Sequence, residues 1–258
     1  MRAVAVHLDV LVCRSRVWQT TCTAVRAGDE ALLIDSPVYP DELEILPALL
    51  DQAGFGVKAL LATHADWDHL LGREAFPQAP LGCAETTAAR LAAEPGSAQR
   101  ELRDFDERHY VERPRPLSVP GAQALPVPGY CDVGDRELEL HPADGHTADG
   151  MAVWIPWAEV LACGDYLSPV EIPAIRAGGS LDGYRATLER LRPLVRRAEA
   201  VVPGHGAVLE RERALALLDE DRRYLDELDE RGDAAALPPG RRSAEQRRVH
   251  AGNAGRLA

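Results

Sequence analysis

Lysine is almost absent from this chain of 258 residues, because Lys58 is the only one and arginine supplies the rest of the basic charge. Basic residues are also outnumbered, since 29 lysines and arginines face 41 aspartates and glutamates, which gives a formal net charge of −12. An acidic surface repels phosphate backbones, so we expect no nucleic-acid partner. We interpret the preference for arginine as a bias of genome composition.

Cysteine is also scarce: the five cysteines are far apart in the sequence and form no C-x-x-C pair. Their odd number and spacing argue against a disulfide framework and a cysteine zinc site, and favour reduced thiols in a cytoplasmic protein. No apolar run approaches the roughly 18 residues of a membrane span, so we expect no membrane partner. His7 and Asp9 interrupt the apolar N-terminus, which favours a strand over residues 3–12 rather than a signal peptide.

Alternating and short apolar segments are abundant and predict strands, while longer segments with a 3.6-residue spacing predict helices. The predicted strands include 21–28, 30–37, 57–63 and 136–143, and the predicted helices include 41–54, 181–198 and 210–232. Strands come first and are then mixed with helices, which is typical of a layered α/β (α+β) fold with mixed sheets. We predict one domain over residues 1–232 and a basic extension over residues 233–258, a helix that packs on the domain.

The stretch "THADWDH", residues 63–69, places two imidazoles and two carboxylates directly after an apolar run. Ligands of open α/β folds bind beyond the carboxyl ends of strands, where this stretch lies. In an extended loop, side chains 64, 66 and 68 would point the same way. Crowded carboxylates repel one another unless a cation compensates them, so the pattern favours a metal site over a helix cap or a solvated loop.

Three later turns carry further side chains that metals accept as ligands. A histidine lies within "ADGHTADG", an aspartate follows "VLACG", and a histidine separates two glycines in "VPGHG". Each alone is commonly structural, but four strand ends that all carry His or Asp are difficult to attribute to chance. We therefore predict that one metal site includes His64, Asp66, Asp68, His69, His146, Asp165 and His205.

These motifs, together with Asp35 in "LLIDSP", resemble the metallo-β-lactamase fold superfamily in order and approximate spacing over residues 20–210. The resemblance implies a four-layer αββα sandwich of two mixed β-sheets flanked by helices, with a dinuclear metal site at one edge. It implies that His64, Asp66 and His146 hold the first metal. It implies that Asp68, His69 and His205 hold the second, that Asp165 bridges both, and that Asp35 supports the site without being a ligand.

The chain departs from the family pattern at two positions. Pro37 stands where a glycine is common, which we expect to alter only the local turn. Asp66 stands where a histidine is usual, and three interpretations stay open: it ligates the first metal directly, it binds through a water, or it leaves that site so weak that the enzyme is mononuclear. An oxygen ligand makes the site harder and more anionic, so iron and manganese join zinc as candidates.

The resemblance implies a dinuclear metallohydrolase with two divalent ions, zinc being the first choice. A metal-bound hydroxide would be the nucleophile, and Asp68 would act as the catalytic residue that orients it. The substrate would be a small molecule with an ester, thioester, lactone or phosphodiester bond. Two alternatives are a di-iron oxidoreductase of the same fold, for which the sequence offers no flavin-binding domain, and a non-catalytic metal-binding protein. The sequence predicts neither the substrate nor the oligomeric state.

Other polar and aromatic residues receive weaker predictions. Candidate pocket walls, for which core packing is an equal explanation, are Trp67, Tyr130, Tyr166 and the proline-rich loop 114–130. The histidines predicted to be structural or exposed are His7, His109, His141 and His250, of which His141 could also support the metal site. The arginines at 241, 242, 247 and 248 could bind an anionic substrate or a partner, but we prefer a solvated terminal helix.

Overall fold

The computed structural model describes residues 1–257 and consists of two β-sheets packed face to face between two layers of helices. The strands are β1 (Arg2–His7), β2 (Val10–Arg14), β3 (Thr21–Ala27), β4 (Glu30–Ile34), β5 (Val57–Ala62), β6 (Leu81–Ala84), β7 (Gln123–Leu125), β8 (Gly129–Val133), β9 (Arg136–Pro142), β10 (Met151–Ile155), β11 (Val160–Ala162) and β12 (Ala200–Val202). The helices are α1 (Pro40–Gln52), α2 (Gly72–Ala75), α3 (Glu85–Ala93), α4 (Ser97–His109), α5 (Leu181–Arg197), α6 (Arg211–Arg231) and α7 (Ala244–Leu257), with 3₁₀ turns at Trp67–His69 and Gly232–Ala234. The predicted αββα sandwich is confirmed.

The first sheet has seven strands in sequence order, β1 to β7. Strands β1 to β4 are antiparallel, and β4 to β7 are parallel, as connections through helices require. The predicted hairpin at Gly28 is confirmed, because Ala27 pairs with Glu30. The prediction of one strand over residues 3–12 is wrong: a turn at residues 8–9 separates β1 from β2, and Asp9 there forms an ion pair with Arg26.

The second sheet has the order β12-β11-β10-β9-β8, with only β11 and β12 parallel. Successive side chains of a strand face opposite sides, and β10 shows the consequence. Its residues Val153 and Ile155 pack against the first sheet, whereas Trp154 packs under α5 and α6. The first sheet is covered on its outer face by α1 and α4. The central strands of each sheet are therefore buried on both faces, while the edge strands β1, β7 and β8 stay partly exposed.

The cysteines and helices bear on two expectations from composition, the absence of a disulfide framework and the absence of a membrane span. None of the five cysteines is in a disulfide, although Cys13 and Cys22, distant in sequence, are direct neighbours across β2 and β3. Among residues 1–257, none of the helices combines the length and the apolar character that crossing a bilayer requires. The cytoplasmic location stays a prediction.

Candidate metal centre

Four loops at one edge of the sandwich bring all seven predicted ligand side chains together. Residues 64–69 follow β5, His146 lies between β9 and β10, Asp165 follows β11, and His205 follows β12. The two sheets are joined at this edge, because the backbone N–H of Thr21 donates to the carbonyl oxygen of Gly204 at 2.7 Å. Candidate ligands from the loops of both sheets thus lie at one place.

The two oxygens of Asp165 divide the cluster into two halves. Its Oδ2 lies 3.7 Å from His64 Nε2 and 3.4 Å from His146 Nε2. Its Oδ1 lies 3.1 Å from His69 Nε2 and 3.2 Å from His205 Nε2. A carboxylate with one oxygen in each half has the geometry of a bridging ligand.

Each half contains one further carboxylate. Asp66 Oδ2 lies 3.4 Å from His146 Nε2 and 3.8 Å from His64 Nε2. Asp68 Oδ2 lies 3.5 Å from His205 Nε2 and 3.7 Å from His69 Nε2. Four donors at zinc distances would form a tetrahedron with edges of about 3.3 Å, so the spacing in both halves suits a metal ion.

Unpaired buried atoms give a second test of whether a metal fits. His64 Nε2, His69 Nε2 and Asp165 Oδ1 are buried and have no hydrogen-bond partner among residues 1–257. Burial of a polar atom without a partner is costly, and such atoms in a native protein call for a water or an ion. A pair of divalent cations would satisfy them, and nitrogen and oxygen donors are the groups such cations accept.

The outer nitrogen of each histidine is fixed by a hydrogen-bond partner. His146 Nδ1 donates to the carbonyl oxygen of Ala174 at 2.7 Å, and His205 Nδ1 lies 3.2 Å from the carbonyl oxygen of Trp18. His64 Nδ1 lies 3.0 Å from the hydroxyl of Thr63. Partners of this kind orient the ring, so that Nε2 faces the centre of the cluster.

Asp35 holds the loop after β5 and does not face the centre. Its carboxylate accepts from the backbone N–H and hydroxyl of Thr63 at 2.8 and 2.9 Å, and from His69 Nδ1 at 2.9 Å. Asp35 has a left-handed backbone (φ 58°), a conformation that aspartate tolerates better than most residues. These contacts match the supporting role that the family resemblance implies.

Gly204 is required by the close approach of two loops. A Cβ atom at this position would lie 2.2 Å from Asp165 Oδ1. The backbone N–H of Gly204 also donates to the carbonyl oxygen of Gly164 at 2.6 Å. Gly204, the first glycine in "VPGHG", therefore lets the loops that carry Asp165 and His205 lie side by side.

Arg90 is part of the centre and was not predicted from the sequence. This α3 residue donates from Nη1 to Asp66 Oδ1 and to Asp149 Oδ1, both at 2.9 Å. Asp149 in turn accepts from the backbone N–H of Ala65 at 2.9 Å. The arginine thus ties the loop after β5 to the loop before β10. An arginine in a polar helix next to Glu94 gives no signal in sequence that distinguishes it from a solvated residue.

The charges of the cluster shift the pKa values of its members. Burial alone would raise the pKa of Asp66, but the hydrogen bond from His146 and the nearby charges of His64 and Arg90 lower it further than burial raises it. Burial lowers the pKa of His64. Burial also opposes the charged form of His205, yet the carboxylates of Glu171 and Asp165 raise its pKa to about 10. Without metal, protons therefore occupy part of the site.

A cleft of about 420 Å³ opens onto the cluster. Its walls come from α4, from the loop 171–176 and from α7, with Trp18 and Trp67 beside the cluster. Its charged lining comprises Asp66, Asp68, Glu101, Asp104, Arg108, Asp165, Glu171, Arg176, Glu245, Arg248 and Arg256. Carboxylates outnumber guanidinium groups in this lining, so bound cations would reduce the repulsion.

The predicted pocket walls are only partly right. Trp67 lines the cleft. Tyr166 is buried, and its hydroxyl donates to the carbonyl oxygen of Asp144 and accepts from the backbone N–H of His146. It therefore holds the loop that carries His146 and is not a pocket wall. Tyr130 is 64% exposed on β8 and does not line the cleft. The loop 114–130 is also elsewhere, because its strand β7 pairs with β6 at the far edge of the first sheet.

The C-terminal segment is bound to the cleft through side chains that the sequence did not single out. Asn253 Oδ1 accepts from the backbone N–H of Ile175 at 2.8 Å, and its Nδ2 donates to the carbonyl oxygen of Pro173 at 2.7 Å. Gln246 Oε1 accepts from the backbone N–H of Ile172 at 2.7 Å. Helix α7 thereby holds the loop whose Ala174 carbonyl orients His146. Whether residues 233–258 form an extension separate from a domain over 1–232 stays a prediction.

The preferred interpretation of the four C-terminal arginines fails for Arg241, which is 2% exposed. Its guanidinium forms a salt bridge with Asp221 and donates to the carbonyl oxygen of Glu171 at 2.8 Å. Arg248 lines the cleft, whereas Arg242 and Arg247 are exposed and do not. Position in the fold, and not residue type, separates these roles.

The other histidines lie outside the centre. His141 is on β9, where its Nε2 lies 3.2 Å from Glu139, so it does not support the metal site. His250 is buried and hydrogen-bonded to the hydroxyl of Tyr224 at 3.0 Å. His7 lies beside Asp9, and His109 stacks on Phe105. All four are structural or exposed, as predicted.

Comparison with known proteins agrees with the geometry. A sequence profile described as metallo-beta-lactamase superfamily matches residues 15–205, which is most of the chain and includes every predicted ligand. The chain belongs to the metallo-beta-lactamase superfamily. Members of this superfamily bind divalent metals, usually zinc, and the His and Asp groups described above could hold such ions.

Two curated members of the superfamily are similar in sequence, and both are named as hydrolases. The acyl-coenzyme A thioesterase MBLAC2 of Gallus gallus is 27% identical over 221 residues, which cover 79% of this chain and 76% of the relative. A metallo-beta-lactamase type 2 from Bacillus sp. (strain 170) is 33% identical over 91 residues, or 33% of this chain and 35% of that protein.

Solved structures of the superfamily share the fold. The metallo-beta-lactamase family protein TTHA1429 from Thermus thermophilus has a TM-score of 0.68 and 21% identity, with 89% of this chain and 85% of that chain covered. The sec-alkyl sulfatase PisA1 has a TM-score of 0.70 and 14% identity, with 89% of this chain and 42% of that chain covered. At these identities the likeness concerns the fold alone.

Proposed function

We propose that this protein is a hydrolase that cleaves the thioester bond of a small molecule at a pair of divalent metal ions. The observation that carries the proposal is the division of the cluster by Asp165, whose two oxygens each lie within 3.7 Å of two histidine Nε2 atoms. Membership of a superfamily of metal-dependent hydrolases supports hydrolysis. The thioesterase relative favours a thioester over the ester, lactone and phosphodiester alternatives.

Each half of the cluster would hold one ion. His64, Asp66 Oδ2 and His146 would bind the first, Asp68, His69 and His205 the second, and Asp165 both. Four imidazoles among seven donors favour zinc, because imidazole is a preferred zinc ligand. When bound, such ions lower the pKa of the water they hold and polarise a carbonyl group.

Asp68 would act on the attacking water. Its carboxylate lines the cleft and lies beside His69 and His205, so it can accept a hydrogen bond from a water held there and take one of its protons. The water oxygen then adds to the acyl carbon, and the carbon–sulfur bond breaks with its electron pair on sulfur. The leaving thiolate takes up the proton held by Asp68, so the products are a thiol and a carboxylic acid, which ionises to a carboxylate. A thiolate is a competent leaving group because the pKa of a thiol is about 8.5.

The aromatic wall beside the cluster would receive the acyl part of the substrate. Trp18 and Trp67 both line the cleft, with ring centroids 5.6 Å apart in an edge-to-face arrangement. Phe105 of α4 packs against both indole rings, with its ring centroid 5.2 Å from that of Trp18 and 4.9 Å from that of Trp67. A rigid aromatic surface next to the reacting bond would bind apolar groups and limit the access of bulk water.

The test is a panel of thioesters, esters, lactones and phosphodiesters offered to the zinc-loaded protein, to the chelator-treated protein and to Asp68→Asn. Thioester hydrolysis should disappear with chelator, return with zinc, and fall by roughly 10²- to 10⁴-fold in kcat for Asp68→Asn, the usual contribution of a positioned acid or base. The matched control, Asp51→Asn on the exposed side of α1, should retain full activity. Undiminished turnover after complete metal removal would refute the proposal.

A further inference from the structure

We infer that α7 carries a subsite for an anionic group of the substrate, a carboxylate or a phosphate, bound by Arg248 and Arg256 with Arg176 on the facing wall. All three arginines line the cleft that leads to the metal centre. The inference rests on the proposed hydrolysis, because it assigns to the same cleft the part of the substrate that does not react.

The helix that carries two of these arginines is held firmly in place. Asn253 and Gln246 bond to the backbone of residues 172–175, and the ring of His250 contacts Tyr224 of α6. Arg241, just before the helix, is buried in a salt bridge with Asp221. A binding surface on an anchored element loses little conformational freedom when a ligand binds.

One face of α7 is directed at the cleft. Arg248, Gly252 and Arg256 are four residues apart, a spacing that places side chains on the same side of a helix, and all three line the cleft. At a rise of 1.5 Å per residue, the two arginines begin about 12 Å apart, with the glycine between them. This is a recess with a guanidinium group available at each end.

Gly252 has no packing role within the chain that would explain it. A Cβ atom at this position would meet nothing within 4 Å, although glycine is unfavourable inside a helix. Gly255 in the same helix is equally open but does not line the cleft. The absence of a side chain at Gly252 therefore widens the cleft at the point between the two arginines.

The three guanidinium groups are available for a ligand. Over residues 1–257, none of the three has a carboxylate within 4.0 Å, whereas Arg90 of α3 is paired with two. The acidic lining outside the ligand set is Glu101 and Asp104 on α4, Glu171 in the loop, and Glu245 at the start of α7. With the carboxylates of the cluster compensated by metal, an anion would be attracted to the arginines and repelled by Glu101 and Asp104, while Arg108 of the same helix α4 reduces that repulsion.

Arginine binds carboxylates and phosphates through paired N–H donors, so either anion would suit this subsite. The test compares three butyryl thioesters on the zinc-loaded full chain: that of N-acetylcysteamine, which is neutral, that of mercaptopropionate, which carries a carboxylate, and that of phosphopantetheine. The Arg248→Ala/Arg256→Ala double variant should lower kcat/KM for one or both anionic substrates roughly tenfold more than for the neutral one, as two solvent-accessible ion pairs would. The substrate more affected identifies the anion.

A charge-matched control is Arg242→Ala/Arg247→Ala, which removes two exposed arginines outside the cleft. It should change the three kcat/KM values equally and little. Equal losses of kcat/KM on neutral and anionic substrates in the Arg248→Ala/Arg256→Ala variant would overturn the subsite but would not contradict the proposed hydrolysis.

The glycine provides an independent test. Gly252→Leu should raise KM for the anionic thioester at least several-fold, whereas Gly255→Leu, an equally open position off the cleft, should not. Equal effects of the two substitutions would overturn the role of Gly252.

If the native protein hydrolyses none of the thioesters, the proposed function is wrong, and the subsite must be tested by binding alone. Calorimetric binding of S-methyl phosphopantetheine, S-methyl mercaptopropionate and S-methyl N-acetylcysteamine then decides the subsite, because equal affinity for all three would refute it.

Discussion

Arg90 Nη1 donates to Asp66 Oδ1 over 2.9 Å, while Asp66 Oδ2 remains directed at His146 and His64. The guanidinium charge offsets part of the charge that an aspartate introduces where the superfamily usually has a histidine. Arg90 Nη1 also donates to Asp149 at 2.9 Å, so its charge is shared between two carboxylates. The first half of the cluster is therefore less anionic than Asp66 alone would make it.

Removal of Arg90 should change the metal preference of the first site. In Arg90→Gln, Asp66 loses its cationic partner and becomes a harder, more anionic ligand. The ratio of bound manganese to bound zinc should rise by roughly threefold to tenfold, since such a charge change is worth about 1 kcal/mol in a partly exposed site. Metal analysis after equilibration with equal concentrations of both ions measures this ratio, and Arg103→Gln on the exposed side of α4 is the control. An unchanged ratio would count against the coupling.

The Asp66→His variant should keep the fold and shift preference toward zinc, because imidazole replaces a carboxylate oxygen. Arg90 retains Asp149 as a partner at 2.9 Å, so the substitution does not leave a buried charge alone. The same competition experiment reads out the effect, and circular dichroism checks the fold. If the metal profile of this variant equals that of the native protein, Asp66 is not a ligand.

Asn253→Ala should weaken both the fold and the metal site. It leaves the backbone N–H of Ile175 and the carbonyl oxygen of Pro173 without their partner, at a cost of about 1–3 kcal/mol in unfolding free energy. It also loosens Ala174, whose carbonyl orients His146. Zinc affinity should therefore fall, measured by competition with a chromophoric chelator, while urea unfolding gives the stability. Arg247→Ala, on the exposed side of α7, should change neither quantity, and an Asn253→Ala protein with native zinc affinity would show that α7 does not support the metal centre.

Metal binding should release protons. His205 has a pKa raised to about 10 in the metal-free protein, and the carboxylates around His69 raise its pKa as well. Both rings must be neutral to bind a metal, so between the usual histidine pKa of about 6.5 and pH 10 binding displaces protons, and affinity falls as the pH falls. Calorimetric titration with zinc at pH 7 in two buffers of different ionisation enthalpy counts these protons. A count of zero would mean that these histidines do not bind the ion.

The side chains of the cluster were predictable from the sequence because each lies in a loop that follows a predicted strand, and metal chemistry restricts the residue types that can stand there. His64, His146, Asp165 and His205 needed no knowledge of side-chain packing. The hairpin at Gly28 was equally visible, since glycine supplies the positive φ that the turn requires. The turn at residues 8–9 contains neither glycine nor proline, and Asp9 alone was too weak a signal to predict the split between β1 and β2.

The supporting residues were not predictable for the opposite reason. Arg90, Gln246 and Asn253 are polar residues within helices, and in sequence they resemble a solvated face. Their roles depend on which loop each helix meets in the folded chain, which periodicity does not encode. For the loop 114–130 the sequence left a pocket wall and a packing role equally open, and the pairing of β7 with β6, which fixes the loop away from the cleft, decides between them.

The metal content of the native protein and of Asp165→Ala shows whether one carboxylate bridges two ions. We expect two divalent ions per native chain by mass spectrometry of the purified, zinc-equilibrated protein, and the loss of at least one ion in the variant, because both halves of the cluster share that carboxylate. Asp144→Ala, in which a neighbouring aspartate outside the cluster is removed, should keep two ions. A native protein that binds no metal, or an Asp165→Ala protein that still binds two ions as tightly, would contradict a dinuclear site bridged by Asp165.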